Sequence, residues 1–529
     1  MMYTIASASE AAGSVAVVVQ DGGMLLHEVI ANAAAVTPAA PALVWGDRTW
    51  SFAELDAAIV AAAARIAAVA SPGERIAVVS DNHPDVVIAM YAAPAVGVIV
   101  MFGNTRLTPH ELGALIDDVN PVAVFASSDH LDRLAPALGD RRVTELATLT
   151  AEPAAPAAPA APAARPARPA PAARTAPAAD PDDTAWIIHT SGTTGLPKGA
   201  CLTHRSLLAA VLNTAMARPL ADDDVYLFPF PLFHVAAYNV IHAHLRGRPV
   251  VLVARFDAAE VAALIERHRV TNISLAPTMI AMLLDHPAAR RHDLSSLRVV
   301  AYGASAIPLP LLRRGLDELG CGFAQGYGMT ELSGNAVFLT PDDHRRAAAD
   351  RPDLLTAAGR PGPLAAIRLA DDGEIEVRAD QVIPGYWNRP DATADAFTAD
   401  GWFRTGDIGR IDAEGYLSIV DRAKDIIVTG GENVASREVE DALAEHPDVA
   451  AVAVVGVAHP RWGEQVVAVA TAADGATIDA DAVLEWARGR LAGFKRPKAL
   501  LVRDALPVNA SGKVLKRDLR VWATDQLAP

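Results

Sequence analysis

The chain has 529 residues, of which 51% are hydrophobic and 20% charged, and its formal net charge is −16. This length exceeds that of one ordinary domain, and the composition is that of a globular protein with a large core. The acidic balance disfavours a nucleic-acid partner, because phosphate binding needs a basic surface. The two cysteines, Cys201 and Cys321, are too few for a disulfide framework or a zinc site, and they fit a cytoplasmic location.

Strand-like and helix-like segments alternate through the N-terminal three quarters of the chain. Ser51 and Glu54 form a capping box that predicts the start of an alanine-rich helix, and residues 75–79 predict a buried strand. The apolar segment 86–102 is interrupted by a proline and a glycine and lacks basic flanks, so it predicts a buried helix and strand rather than a membrane span. Further buried strands are predicted at 122–125 and 299–302. The alternation predicts α/β layers with largely parallel sheets.

Residues 151–181 form a tract of alanine and proline with a few arginines. Repeated prolines lack backbone donors and block helices, so we predict a disordered, exposed insertion without a role in function, the alternative being an interaction arm. A charge run at 421–425 marks a second boundary. We therefore predict an N-terminal domain over 1–420 and a C-terminal domain over 421–529, with a hinge at 421–425. In the second domain, strands are predicted at 449–457 and 466–470 and a helix at 438–445.

The most distinctive motif is a loop of glycines, hydroxyl groups and one lysine between residues 190 and 199, directly after an apolar strand. Glycines let backbone N–H groups approach a ligand, hydroxyls add donors and the lysine adds a positive charge, so the loop is suited to grip a triphosphate. It differs from the common P-loop, because Pro197 precedes the lysine and Gly199 follows it. A glycine–threonine surface turn is the alternative. The candidate phosphate-binding residues are Thr190, Ser191, Gly192, Thr193, Thr194, Gly195 and Lys198.

A second candidate motif for nucleotide binding follows an apolar stretch and begins at Gly326. A glycine–tyrosine–glycine turn can supply the flat slot that adenine needs, although such a sequence also marks ordinary turns. A magnesium ion on ATP needs carboxylate or hydroxyl oxygens, which Glu331 can supply together with Thr330 or Thr190. The candidate residues are Gly326, Tyr327, Gly328, Thr330 and Glu331, and also Gly303, Ala304 and Ser305 after the strand at 299–302.

In this order, the two motifs resemble the signatures of the adenylate-forming superfamily, which includes acyl-CoA synthetases, peptide-synthetase adenylation domains and luciferases. Later motifs extend the resemblance over nearly the whole chain. The resemblance implies an α/β fold with a large N-terminal multi-sheet α/β domain and a small, mobile C-terminal α+β domain. It also implies that ATP, Mg²⁺ and coenzyme A are bound, and that residues 303–305 belong to the adenine and acyl pocket.

The resemblance assigns roles to residues near the domain boundary. Asp407 resembles the aspartate that pairs with both ribose hydroxyls, for which its two carboxylate oxygens are suited. Arg422 would contact ribose or phosphate, and Lys424 resembles the hinge residue about which the small domain turns. Without the resemblance, the run at 421–425 would be interpreted as a solvated surface segment.

The C-terminal domain carries two more elements of the resemblance. Gly430, Gly431 and Glu432 correspond to the segment along the pantetheine tunnel in the thioester-forming state, although alanine and serine follow at 435–436 where relatives commonly have tyrosine and proline. Lys513 corresponds to the catalytic lysine, whose mobile ammonium group offsets the repulsion between a carboxylate and the α-phosphate. A surface glycine–lysine turn is the alternative.

His234 bears on the substrate. Amino-acid adenylation domains usually place an aspartate next to the preceding phenylalanine, where it pairs with the α-ammonium group, whereas an imidazole supplies no fixed anion. The resemblance is therefore to acyl- and aryl-CoA synthetases. His234 is a candidate catalytic residue beside Thr330, Glu331 and Lys513, and plain packing of its imidazole is the alternative.

We therefore predict an AMP-forming acid–thiol ligase. The carboxylate attacks the α-phosphorus of ATP, pyrophosphate leaves, and the CoA thiolate then displaces AMP. A medium- or long-chain fatty acid is the first expectation for the acid, and an aryl acid of the benzoate or cinnamate type is the second. The runner-up functions are an acyl-AMP ligase that loads a carrier protein and a nucleotide-binding regulator. The enzyme is expected to be a cytoplasmic monomer or homodimer, with peripheral membrane contact left open.

Overall fold

Buried apolar segments form the strands and helices of this chain. Strands covered on both faces need continuous apolar runs, and helices need one apolar face. The structure is a computed structural model that describes residues 23–138, 141–151, 180–190, 197–305, 307–488, 490–508 and 514–527. Almost all of the alanine–proline tract at 151–181 lies outside the described residues, so the expectations for it stay predictions.

The strands follow one another with helices between most of them. In chain order, the strands are β1 Pro41–Trp45, β2 Arg48–Ser51, β3 Arg75–Val79, β4 Ile99–Phe102, β5 Ala123–Ala126, β6 Val143–Glu145, β7 Thr184–Thr190, β8 Lys198–Thr203, β9 Tyr226–Phe228, β10 Val250–Leu252, β11 Asn272–Leu275, β12 Val299–Gly303, β13 Gly322–Met329, β14 Gly334–Leu339, β15 Arg360–Pro361, β16 Ala366–Leu369, β17 Glu374–Arg378, β18 Phe403–Ile411, β19 Leu417–Arg422, β20 Ile427–Thr429, β21 Glu432–Val434, β22 Val449–His459, β23 Gly463–Ala472 and β24 Ala499–Val502.

The α-helices cover the faces of the sheets. They are α1 Leu26–Val36, α2 Phe52–Ala67, α3 Pro84–Ala95, α4 Pro109–Val119, α5 Ser128–Leu138, α6 His204–Ala217, α7 Tyr238–Leu245, α8 Ala258–His268, α9 Pro277–Asp285, α10 Leu309–Leu319, α11 Pro341–Ala349, α12 Pro390–Asp395, α13 Ser436–Ala444, α14 Ala480–Arg488 and α15 Lys516–Gln526.

Several predicted elements are confirmed. The strand β3 covers residues 75–79, and α2 begins with the predicted capping box, in which Glu54 N donates to Ser51 Oγ at 3.2 Å and Ser51 N donates to Glu54 Oε2 at 2.7 Å. The segment 86–102 forms most of α3 and all of β4, both of them buried. Among the described residues, no helix combines the length and the apolarity that a membrane span needs.

Two sheets in the N-terminal part are mainly parallel, as predicted. One has six strands in the order β6-β5-β3-β4-β7-β8, and the other has nine in the order β15-β14-β13-β12-β11-β9-β10-β1-β2. The antiparallel pairs lie toward their edges, at β7–β8, β1–β2, β13–β14 and β14–β15. Parallel strands end at a common edge, so this arrangement brings the residues after β12 and β13 together.

The remaining sheets depart from the predicted parallel pattern. The strands β16 to β19 form a four-stranded sheet in which every neighbouring pair is antiparallel. The prediction of parallel sheets was wrong here, because antiparallel neighbours need no crossover: short loops join β16 to β17 and β18 to β19, and a longer segment with the short helix α12 joins β17 to β18. The last sheet, β21-β20-β23-β22 with β24 beside β23, packs with α13, α14 and α15. The predicted α/β class, with a large N-terminal part and a small α+β C-terminal part, is confirmed.

Three histidines lie in the N-terminal core between the helices. His204, His242 and His244 are at most 1% exposed. Leu26 N donates to His204 Nδ1 at 3.1 Å, and His244 Nδ1 lies 2.9 Å from the Tyr91 hydroxyl. Burial lowers the pKa of His204 and of His244 to about 4, and that of His242 well below its ordinary value. These imidazoles are therefore neutral in the folded chain at pH 5, whereas the unfolded chain protonates them.

We expect stability to fall as the pH decreases from 6.5 toward 4. In this window the unfolded chain binds protons that the folded chain excludes, so each buried histidine removes up to about 1.4 kcal/mol of unfolding free energy per pH unit. Urea unfolding at pH 7, 6 and 5 measures this slope. His204→Asn keeps an acceptor for Leu26 N. In this variant the unfolding free energy should decrease less steeply with falling pH, by about the contribution of one histidine. An unchanged slope in the variant would contradict the assignment.

Candidate active site

The candidate site lies where neighbouring parallel strands of the nine-stranded sheet end. The strand β12 ends at Gly303, and β13 runs beside it to Met329, with Gly303 opposite Gly326 in the register. Ligands of open α/β sheets bind beyond the carboxyl ends of the strands, so this is the expected place for a nucleotide. The 3-10 turn Thr330–Leu332 continues directly from β13 and carries Glu331.

The glycines at these strand ends allow a close approach of backbones. A Cβ atom on Gly303 would lie 2.6 Å from Gly326 O, and one on Gly326 would lie 2.0 Å from the Asn335 side chain. The predicted turn around Tyr327 was wrong in form, because residues 326–328 belong to β13. Ala304 has a φ of +68°, a backbone conformation that is strained for a residue with a side chain and that often marks functional sites.

Asp407 joins two of the predicted nucleotide residues. Its Oδ2 accepts a hydrogen bond from the Tyr327 hydroxyl at 2.7 Å, and its Oδ1 lies 2.6 Å from Arg422 Nε. Burial and the Asp407 charge raise the pKa of Tyr327, so the tyrosine remains a donor. Gly406, with a φ of +71°, precedes Asp407 in β18 and turns the chain locally. Each carboxylate oxygen has a second lone pair, so Asp407 keeps the capacity to accept from two hydroxyls.

Tyr386 connects the two mainly parallel sheets, and sequence reasoning missed it. Its hydroxyl donates to Glu331 Oε1 at 3.0 Å, while its ring lies 4.4 Å from Lys198 Nζ, measured to the ring centroid. Burial and the Glu331 carboxylate raise the pKa of Tyr386, which keeps the hydroxyl protonated. The only sequence signal was a glycine and two aromatic residues at 385–387, a pattern without a specific meaning on its own.

The residues at this end of β13 fit a magnesium ion that is bound together with ATP. Glu331 is 8% exposed, and its carboxylate is held by Tyr386. In the part of the chain that the structure describes, no group of three histidine, cysteine or acidic side chains could hold a metal. Magnesium commonly takes one or two carboxylates plus phosphate oxygens and water, so a single carboxylate beside a triphosphate suits it.

The phosphate loop is framed by an antiparallel pair of strands. Thr190 ends β7, Lys198 begins β8, and the two residues are paired in the register. Thr190 Oγ1 donates to Lys198 O at 3.4 Å. The structure therefore places both ends of the loop together. The predicted contacts of Ser191, Gly192, Thr193, Thr194 and Gly195 lie outside the described residues.

His234 borders a cavity of about 110 Å³ that extends from the strand ends into the N-terminal part. The cavity also reaches Gly303, Ala304, Gly326 and Gly328, so four predicted site residues and His234 share one space, whereas Ser305 is exposed beside it. Burial, with a smaller effect of the nearby Arg106 charge, lowers the pKa of His234 to about 4. The imidazole is therefore neutral at pH 7.

The predicted hinge segment lies between β19 and the first strand of the last sheet, β20. Lys424 is exposed in the 3-10 turn Ala423–Asp425. Asp421, at the end of β19, accepts hydrogen bonds from Ser436 N and Ser436 Oγ, each at 2.5 Å. The helix α13 begins at Ser436, so the hinge strand supplies its capping carboxylate.

The CoA and lysine elements belong to the small C-terminal part of the chain. Gly430 and Gly431 form the turn between β20 and β21, with φ values of +61° and +87°, and the exposed Glu432 follows them. Lys513 lies outside the described residues, and its catalytic role stays a prediction. The residues that flank its segment are close together, because Val508 and Val514 form an isolated β-bridge.

Neither cysteine has the environment of a nucleophile. Cys201 and Cys321 are free thiols, and burial raises the pKa of each to about 11. Because the thiolate is the reactive form, both side chains are suited to packing.

Comparisons with known proteins decide the family. Models of the AMP-binding enzyme and of the AMP-binding enzyme C-terminal domain match residues 30–387 and 438–513. The chain belongs to the AMP-binding enzyme family. It is 36% identical to feruloyl-CoA synthase of an Amycolatopsis species, over 92% of this chain and 96% of that one. It is 33% identical to a long-chain-fatty-acid–CoA ligase of Mycobacterium tuberculosis, over 85% and 88% of the two chains.

A solved structure of the same AMP-binding family has a similar fold. The o-succinylbenzoate coenzyme A synthetase of Bacillus subtilis, in complex with ATP and magnesium ion, is 31% identical with a TM-score of 0.80. The match covers 93% of this chain and 98% of that one. The predictions of the adenylate-forming superfamily, of an AMP-forming acid–thiol ligase, and of ATP, Mg²⁺ and CoA as ligands are confirmed.

We expect loss of the Tyr386 hydroxyl to lower kcat/KM for ATP. Tyr386→Phe keeps the ring beside Lys198 but leaves Glu331 without this donor, and we expect kcat/KM for ATP to fall about tenfold, the scale of one hydrogen bond to a charged group. Tyr386→Leu should lose more, because the ring contact goes too. Steady-state rates over a range of Mg²⁺ concentrations measure both effects.

Tyr416→Phe is the matched control for this prediction. The Tyr416 hydroxyl also donates to a buried carboxylate, that of Asp343 at 2.6 Å, but neither residue is a candidate nucleotide-binding residue. This variant should lower stability and leave kcat/KM for ATP unchanged. Equal kinetic losses in Tyr386→Phe and Tyr416→Phe would show that the Tyr386 effect is only structural.

Proposed function

We propose that this enzyme joins a compact, ring-bearing carboxylic acid to coenzyme A. The cavity beside His234 carries the proposal, because aromatic side chains, those of Phe230, Tyr302 and Phe338, line it and its volume, with the predicted nucleotide residues included, is only about 110 Å³. The feruloyl-CoA synthase relative supports an aryl acid. A medium- or long-chain fatty acid, the first expectation from the sequence, stands second, supported by the long-chain relative.

The nucleotide site would hold ATP at the strand ends. Asp407 would accept from the ribose hydroxyls, with Arg422 beside it, and the loop from Thr190 to Lys198 would hold the β- and γ-phosphates as a leaving group. Glu331, with Thr330 or Thr190, would hold the magnesium ion, which neutralises phosphate charge when it is bound. The loop thus positions pyrophosphate and does not transfer the γ-phosphate.

The first half-reaction forms an acyl-adenylate. A carboxylate oxygen bonds to the α-phosphorus, the bond from that phosphorus to the bridging oxygen breaks, and pyrophosphate leaves with the electron pair. The ammonium group of Lys513 would offset the repulsion between the two anions. The neutral imidazole of His234 would line the acyl pocket beside the reacting carboxylate.

The second half-reaction uses CoA. The thiolate sulfur bonds to the acyl carbon, the bond to the phosphate oxygen breaks, and AMP leaves. The two half-reactions would use different residues of the C-terminal part: Lys513 in the first, and the segment with Gly430 and Gly431 in the second. The C-terminal part would therefore rotate about Lys424 between the two half-reactions.

We expect a panel of acids to give a clear ranking. Pyrophosphate release and consumption of free CoA are measured with benzoate, cinnamate, octanoate and palmitate at equal concentrations. The aryl acids should give the higher kcat/KM, because a single ring fits the cavity. Higher values for palmitate would overturn the compact-acid proposal, and adenylate formation without CoA consumption would favour a carrier-protein acceptor.

Lys513→Ala should separate the two half-reactions. We expect acyl-adenylate formation to fall at least about a hundredfold, the scale seen when a transition-state charge partner is removed, while conversion of supplied acyl-AMP to thioester continues. Lys495→Ala is the control, since Lys495 pairs with Glu438 at 2.6 Å on the surface of the same region. Equal loss of both half-reactions in Lys513→Ala would contradict its assigned role.

A further inference from the structure

The cavity beside His234 runs along the face of the nine-stranded sheet toward a buried arginine. Its floor is formed by small residues at matching register positions: Gly303 and Gly326 at the strand ends, and Ala301, Ala324 and Ser274 two residues deeper. The deeper positions therefore lie about 7 Å from the strand ends, because two residues of a strand span about that distance. Arg218 and Asn239 also line this cavity.

Arg218 is buried without a full set of partners. It follows the last residue of α6 and is 7% exposed. Its Nη2 donates to Asn239 Oδ1 at 2.7 Å and lies 3.5 Å from the Tyr226 hydroxyl. Its Nη1 is buried and has no hydrogen-bond partner among the described residues. A guanidinium group keeps its charge, so a residue that lines the proposed acyl pocket carries a permanent, buried cation.

Polar groups surround Arg218, namely those of Tyr226, Tyr238 and Asn239. The described part of the chain places no aspartate or glutamate within ion-pair distance of Arg218. The nearby His242 is fully buried, and neither of its ring nitrogens has a partner in that same part. A buried charge without a partner is costly, and a structural role could be filled at lower cost by an apolar side chain.

We propose that Arg218 binds a second carboxylate of the acid substrate, at the end opposite to the carboxylate that is adenylated. The substrate class is therefore a compact dicarboxylic acid in which a ring or short linker separates the two groups. The guanidinium group supplies the positive charge, and Asn239 holds it in place through Nη2. This inference rests on the proposed function, because it concerns the acyl pocket of the same reaction.

The test compares acids that differ only at the far end. Cinnamate, 4-carboxycinnamate and the 4-methyl ester of 4-carboxycinnamate are assayed for pyrophosphate release with the wild-type enzyme. The diacid should exceed the ester and cinnamate by roughly ten- to a hundredfold in kcat/KM, the range for a charge-assisted hydrogen bond. Equal rates, or a preference for cinnamate or the ester, overturn the Arg218 proposal and leave the proposed function standing.

Two substitutions of Arg218 test whether this residue causes the preference for the diacid. Arg218→Met removes the charge at similar length and should abolish or reverse the preference for the diacid, while turnover of cinnamate continues. Arg218→Lys keeps a charge and should retain part of the preference. If both variants keep the wild-type ratio of diacid to cinnamate, the proposal is wrong. The wild-type ranking decides the question on its own if Arg218→Met does not fold.

Direct binding separates this inference from the proposed function. The diacid should raise the Tm of the wild-type enzyme in the absence of CoA and should raise that of Arg218→Met much less. If no acid releases pyrophosphate, the proposed function fails, and the Tm shift still decides on Arg218. An equal shift in both proteins, or no shift in either, overturns the Arg218 site.

Discussion

The contact of Tyr386 with Glu331 and Lys198 is the constraint on which the nucleotide site depends. Glu331 follows the nine-stranded sheet, whereas Lys198 begins a strand of the six-stranded sheet. One tyrosine touches both, with its hydroxyl on the carboxylate and its ring near the ammonium group. The loop that carries it also pairs with β8, since Trp387 N donates to Gly199 O at 2.7 Å. The spacing between the predicted phosphate loop and the carboxylate proposed to bind magnesium is thus set between two separate sheets.

A second connection joins the hinge to the C-terminal part. Asp421 caps α13 through Ser436, and Lys516 contacts the Ser436 hydroxyl and lies 2.8 Å from Glu440 Oε1. Lys516 begins α15, shortly after the segment that carries Lys513. Ser436 therefore takes part in a chain of polar contacts from the strand before the predicted hinge to the start of α15.

The sequence predicted what lies within short stretches and missed what folding brings together. The capping box at Ser51 and the strand at 75–79 follow from local patterns, whereas the grouping of Gly303 with Gly326 followed from the family resemblance. Tyr386 meets Glu331 across 55 positions, and Arg218 meets Asn239 across 21, so no spacing rule could pair them. The antiparallel order of β16 to β19 was missed as well, because buried strands of either kind share the same apolar pattern.

The residues that line the proposed acyl pocket differ in charge, and that difference would orient a substrate. His234 is neutral, because burial and Arg106 lower its pKa to about 4. Arg218 keeps a fixed cation among tyrosine and amide groups. An acid without a second anion leaves that cation unpaired, and the cost of an unpaired buried charge then counts against the wrong substrate. Selectivity would thus arise from the desolvation of Arg218 more than from the shape of the apolar walls.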